Sequence, residues 1–394
     1  MDVDVVSWLS LAIRWLHLIT GIAWIGSSFY FIWLDNSLKK PTSREDLDMG
    51  VGGELWAVHG GGFYHKKKYQ VAPDHMPDDL HWFKWEAYFT WISGFMLLAV
   101  IYYYGASLFL IDPAKMALLP WQAIGISLAF MVGGWIFYDL LCKSRIGENN
   151  KLFGLIWFMA LTLAAYGLSQ IFTDRAAYIH VGVIIGTVMA ANVFMVIIPN
   201  QKKTVASLLK GEEADPSLGI KAKQRSLHNN YMTLPVLLIM VSNHYPILFG
   251  HDYGWLILAG LGIAACLIRH FFNLKHKGEI NYLYPAAGVA AFIAVMLMAS
   301  YSGKVVTGAA EDIAVTDIRI MINRHCVACH SDVPTHEAFA EAPLGVMFDK
   351  MDEVIRYRTK IIEQAVKSDI MPLGNETTMT EDDRIKLGMW LSQQ

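Results

Sequence analysis

The chain is short of charge, of cysteine and of electrostatic bias. Aspartate, glutamate, lysine and arginine together make up 17% of its 394 residues, well under the roughly 25% of a soluble globular protein. A net charge of −3 supplies no basic field to draw in a polyanion, which excludes nucleic acid as a partner. Four cysteines are too few to form a disulfide scaffold in a chain of this length. No G-x-S-x-G elbow, P-loop or G-x-G-x-x-G run occurs, so serine hydrolases and P-loop or dinucleotide-binding enzymes are excluded. The run His59-Gly60-Gly61-Gly62 therefore has no nucleophile to serve, and its glycines are expected to pack backbone against helix ends.

What the chain has instead is apolar residues, 54% of the total. A window of about 20 residues, the length that crosses the hydrocarbon of a bilayer, resolves eight stretches: Trp8–Leu34, Tyr88–Leu110, Trp121–Leu141, Leu152–Phe172, Ala177–Ile198, Asn230–Phe249, Trp255–Phe272 and Asn281–Ser300. In lipid the backbone must bond to itself, so such stretches are helices. Trp8, Trp33, Trp91, Trp121, Trp255 and Tyr301 fall at their ends, at headgroup depth. The predicted fold class is all-α: a polytopic membrane bundle of eight transmembrane helices over 1–302, a linker over 303–310, and a small soluble domain over 311–394. Helices one and five each carry a histidine and lead into long basic loops, which suggests a four-plus-four parallel repeat.

Loop charge orients the bundle. Eighteen lysines and arginines fall in the odd-numbered loops and only Lys115 and Arg175 in the even ones. Lysine and arginine collect on the cytoplasmic side, so both termini are expected in the periplasm of a bacterial inner membrane. Asp2 and Asp4, with no basic residue before the first helix, suit a translocated tail. The first apolar run exceeds 20 residues and is read as a retained span, not a cleaved signal.

The strongest chemical signal lies in the soluble domain. Cys326-Val327-Ala328-Cys329-His330 is a CxxCH motif, which reads as attachment of one covalent haem c. Two thiols on one helical turn meet the two haem vinyl groups, and the next imidazole lies under the iron. A zinc site would need two further ligands, and Cys142 and Cys266 fall in or at membrane spans. An amphipathic helix over Ile313–Asn323 and a closing helix over Thr380–Leu391, opened by a Thr380/Asp383 capping box, match a small class I cytochrome c. The sixth iron ligand is expected just before the closing helix. Met371, followed by Pro372, fits better than Met321, Met347, Met351, Met379 or Met389, and Met/His ligation raises the iron potential.

Eight helices exceed what an anchor needs, and polar residues within them point to a site or a pathway. Arg14 and His17 lie one turn apart, followed by His180 and by Asn243 with His244; deeper lie Asp139, Asn192, Arg269 and His270. The three histidines at similar depth suit binding of a planar anion, ligation of a second, b-type haem, or proton transfer, and these alternatives stay open. The candidate catalytic set is His17, Arg14, His180, His244 and Asn243. Gly182-xxx-Gly186 is a helix-packing signal.

Several runs occur together: Trp56–Tyr64, His81–Trp91, His228-Asn229-Asn230-Tyr231, Ser242-Asn243-His244-Tyr245-Pro246, the CxxCH motif, and Met371-Pro372-x-Gly374-Asn375. This combination resembles the bacterial membrane-bound urate oxidase (urate hydroxylase) family over essentially the whole chain. The resemblance implies an eight-helix domain fused to a C-terminal cytochrome c. It implies an oxidoreductase that converts urate to 5-hydroxyisourate in purine degradation. Electrons would leave through haem c to a respiratory acceptor, such as a cytochrome c or a terminal oxidase, without forming hydrogen peroxide. Cys326, Cys329 and His330 carry over as haem attachment and proximal ligation, and Met371 as distal ligand; no catalytic set carries over for the membrane part. In that setting Arg14 would hold the urate anion and a histidine take its proton. The alternative function is a respiratory subunit passing electrons from quinol to the cytochrome without urate chemistry.

Overall fold

The computed structural model describes residues 5–73, 75–300 and 313–394. The expected linker at 303–310, Tyr301, Asp2 and Asp4 lie outside the described residues. Among the described residues, seven helices are long and apolar enough to cross a bilayer: α1 (Val5–Ser37), α2 (Trp85–Tyr103), α3 (Pro120–Lys143), α4 (Asn150–Ser169), α5 (Asp174–Leu209), α7 (Gly254–His276) and α8 (Leu283–Ser300). Polar chemistry sets their ends. Asn149 caps α4 by accepting the N–H groups of Lys151 and Leu152 at 3.1 Å, and Pro120 opens α3 where its missing N–H costs nothing.

The sixth stretch departs from expectation. Helix α6 runs Pro216–Ser242 and a separate turn of helix follows at Pro246–Phe249, so Asn230–Phe249 is not one continuous span. The break has a local cause: Pro246 cannot donate to the preceding turn and biases Tyr245 out of the helical region, to φ −128° and ψ 81°. The first half of α6 is polar, with Lys221, Lys223, Arg225, His228, Asn229 and Asn230.

The described residues are mostly helical, as expected, with one small two-stranded sheet. Strands β1 (Val51–His59) and β2 (Gly62–Tyr69) pair antiparallel, with His59 opposite Gly62. Gly60 and Gly61 form the two-residue turn at φ +59° and +79°. A hairpin of this kind needs positive φ at both central positions, which only glycine adopts cheaply. These glycines therefore turn a chain rather than pack against helix ends. Trp56 stacks on His65 across the strands, with ring centroids 4.2 Å apart.

The chain divides into two compact units. One comprises Met1–Leu97, Ile185–Leu237 and Gly262–Ala290; the other comprises Leu98–Ile184, Leu238–Leu261 and Ala291–Gln394. They interleave along the sequence and do not follow a four-plus-four repeat. In the first unit Ala87, Val193 and Ile198 form a small core with Trp24, Trp82, Tyr88 and Ile197. In the second, Ile257, Leu261, Val295 and Ala299 pack together, and a separate core gathers within 313–394. That core joins Ile318 and Ile322 of α9 (Val315–His325) to Leu387, Trp390 and Leu391 of α10 (Glu381–Leu391), with Val354 and Val366 between them. The expected capping box is present: Asp383 N–H donates to Thr380 Oγ1 at 3.2 Å and Thr380 N–H to Asp383 Oδ2 at 3.0 Å.

Half of the small-residue packing signal operates in the second unit. A Cβ on Gly182 would fall 2.7 Å from Ile239 Cγ2, whereas one on Gly186 would meet nothing within 4 Å. Gly182→Leu is accordingly expected to destabilise the protein by about 1–3 kcal/mol through overpacking, and Gly186→Ala to leave thermal unfolding in detergent almost unchanged. Equal unfolding temperatures for the two variants would contradict the close approach.

Candidate functional site

Helix α9 ends at the CxxCH turn. The Cys329 and His330 N–H groups both bond to Cys326 O, at 3.2 and 2.9 Å, which winds the motif into one tight turn. His330 Nδ1 donates to the carbonyl of Val346 at 2.9 Å. Since a carbonyl only accepts, that bond fixes the tautomer and leaves the Nε2 lone pair available to a metal. Phe348 packs beside the imidazole at 5.1 Å between ring centroids. Cys326, Val327 and Met371 all pack on the same apolar core. Burial pushes the Cys326 thiol up to about 12 and the Cys329 thiol upward as well. Cys326 packs on the apolar core and Cys329 feels Glu376, neither being the electropositive setting of a reactive thiolate. Among the described residues they do not converge with further ligands as zinc requires.

Arg384 of α10 secures the Met371 segment. It is 2% exposed; its Nη1 donates to the carbonyls of Ala365 and Met371 at 2.6 and 2.7 Å, and its Nε pairs with Asp369 at 3.2 Å. Sequence reading passed over this residue, although an arginine in register with Leu387, Gly388 and Leu391 on the buried stripe of α10 was a visible signal. Beyond Met371 the chain packs on the helical part of the same unit. A Cβ on Gly374 would fall 2.7 Å from Ser107 O and 3.2 Å from Leu108 O, and Gly250 leaves no room for one beside Ser368.

The five candidate catalytic residues occupy separate settings. Arg14 is exposed on α1, its Nε donating to Ser10 Oγ at 3.3 Å. His17, half-buried, turns Nδ1 toward Thr90 O at 3.0 Å and Ser93 Oγ at 3.1 Å. His180, fully buried, uses both ring nitrogens: Nδ1 with Ala176 O and Nε2 with Ser127 Oγ, each at 2.7 Å. Tyr103 extends that chain by bonding Ser127 at 2.8 Å. Asn243 Oδ1 accepts from Arg175 Nε at 3.1 Å, and His244 is exposed in the turn after α6. No hydrogen bond joins any two of the five among the described residues.

Two clusters elsewhere bear on chemistry. In the first unit Arg269 is buried, with Nε on Asn230 Oδ1 at 2.6 Å and its guanidinium 3.9 Å from the centre of the Phe29 ring. Asn230 bonds Asn273, Asn192 bonds Asn229, and Arg225 bonds Asn192. This polar network includes part of the His228–Tyr231 run. On the hairpin side, Asp46, Glu54 and His65 place ligand atoms within 4.8 Å of one another. The Lys67 ammonium already lies 2.5 Å from Asp46, and His65 lies 2.7 Å from Glu54, so this group is closed on itself by ion pairs.

The model of the urate oxidase N-terminal family matches residues 3–300. No curated protein matches the chain, and neither does any solved structure.

Proposed function

The chain belongs to the urate oxidase N-terminal family, and from that premise we propose that it is a membrane-bound cytochrome c urate oxidase. Urate monoanion and water give 5-hydroxyisourate, one proton and two electrons. The electrons pass through a haem c in the C-terminal domain to a respiratory acceptor, a cytochrome c or a terminal oxidase. In this reading both termini face the periplasm of a bacterial inner membrane, as the loop-charge asymmetry supports.

The observation that carries the proposal is the CxxCH turn with its imidazole already oriented. His330 Nδ1 is committed to Val346 O and Met371 packs on the same apolar core as Cys326, so the residues present fit a covalent haem. Cys326 and Cys329 would hold its vinyl carbons, and His330 and Met371 its iron. Bound there, haem c accepts one electron at a time, so each turnover takes two successive transfers. Phe348 and Val327 keep water from the crevice, and Arg384 holds the Met371 loop in place through two backbone carbonyls. The contact of Gly374 with the 107–108 backbone brings that loop against the helices.

Purified protein mixed anaerobically with urate is expected to develop the spectrum of reduced haem c, with no hydrogen peroxide formed on later aeration. Reduction by a quinol but not by urate would instead establish the respiratory electron-transfer subunit.

A further inference from the structure

Resting on this reading, we propose that urate binds in a cavity of about 460 Å³ lined by Lys115, Asp174, Tyr178, His251, Trp255 and Asp369, with His251 Nε2–H donating to a urate carbonyl oxygen. The volume falls in the range of small-molecule pockets. The cavity lies wholly within the second unit, where its inter-helix loops come together. Lys115 precedes α3, Asp174 and Tyr178 open α5, His251 precedes α7, and Asp369 comes from the C-terminal domain two residues before Met371. A substrate held there is next to the methionine loop, where its electrons must go.

The polar rim suits a purine trione. His251 Nδ1 accepts the Tyr253 N–H at 3.0 Å, which fixes the ring proton on Nε2, and that buried atom has no protein partner. His251 lines the cavity, and a turn of its ring toward the substrate would give this buried donor the acceptor it lacks. Asp174 is paired with Lys115 at 2.5 Å and Asp369 with Arg384 at 3.2 Å, while Asp252 at the rim is exposed to solvent. The interior is therefore close to neutral and selects by alternation, not by field. Ammonium and imidazole N–H groups meet carbonyl oxygens, and carboxylate oxygens meet ring N–H groups. The Tyr178 hydroxyl is already shared between the carbonyls of Leu248 and Gly254, at 2.7 and 2.6 Å. It adds an aromatic ring to the wall, together with Trp255, and no free hydroxyl.

Binding can be read without turnover by keeping the full-length holoprotein reduced with dithionite and measuring urate by anaerobic equilibrium dialysis. His251→Ala is expected to raise Kd about tenfold, the cost of one hydrogen bond to substrate. His251→Gln should recover most of that loss, and Ala114→Trp, which fills the cavity, should abolish binding. Thermal unfolding in detergent at the wild-type temperature, together with an unchanged reduced-haem spectrum, reports that each variant is folded. Urate affinity indifferent to all three substitutions, in a protein whose haem urate does reduce, would overturn the cavity and leave the proposed function standing. A wild-type haem that urate never reduces would overturn the function itself, whatever the dialysis shows.

Discussion

Replacing Gly374 with valine is expected to slow urate-driven reduction of the C-terminal haem by about 10–100-fold, the scale on which a displacement near 1 Å degrades a positioned reaction. Reduction by a small soluble reductant should continue at the wild-type rate. Two effects combine at this position. The backbone sits at φ +58°, where a β-branched side chain is strongly disfavoured. A Cβ would also fall 2.7 Å from Ser107 O, and that backbone cannot retreat. Thr173 ties the segment down, its N–H on Leu110 O at 3.1 Å and its hydroxyl on Phe109 O at 2.8 Å. Gly345→Val separates the effects, because Gly345 has similar φ, +66°, with nothing within 4 Å of its would-be Cβ. If both variants lose urate-driven reduction equally, backbone strain is responsible and the packing of the methionine loop on the helices is not.

The parts of the molecule readable from the sequence are those written in local pattern. Seven spans announce themselves by composition alone, because hydrocarbon accepts little else. The CxxCH turn and the Thr380 capping box are local too, and α9 and α10 lie within two residues of their expected ends. The sixth stretch was misread because hydropathy sums over Pro246 without registering that proline ends a helix. The hairpin is hard to see because glycines serve close helix packing as readily as a turn, and neither strand beside them alternates regularly between buried and exposed residues.

The candidate site was less legible, for a different reason. Arg14, His17, His180, Asn243 and His244 were grouped by depth along their helices, but depth does not say which way a side chain turns. Arg14 turns outward, while His17 and His180 are engaged by α2 and α3. Lys115, His251 and Asp369 line one cavity only because three distant loops of the second unit converge there. No periodicity connects them. The deep network around Arg269 and Asn230 lay partly in view, in the His228–Tyr231 run, yet its hydrogen bonds join residues some 40 positions apart.

Arg384→Leu is expected to be the most damaging substitution within the C-terminal domain. Leucine suits the apolar stripe of α10 in volume and hydrophobicity, so the loss isolates the guanidinium. Two buried carbonyls, Ala365 O and Met371 O, would lose a charged donor. At about 1.5–3 kcal/mol for each such bond the loss is about 3–6 kcal/mol, a large share of what a domain this small possesses. Its unfolding temperature should fall by roughly 15 °C or more. The damage should also be specific, because one of the freed carbonyls is that of Met371 itself. The absorption that reports thioether-to-iron ligation should weaken at temperatures where far-ultraviolet dichroism still shows intact helices, and Arg384→Lys, which can reach one carbonyl, should fall between. Loss of helix and of the thioether signal at the same temperature would mean that Arg384 stabilises the domain as a whole. An unfolding temperature within a few degrees of wild type would mean that water replaces the guanidinium at little cost, and that the Met371 loop is held by its packing on the domain's apolar core.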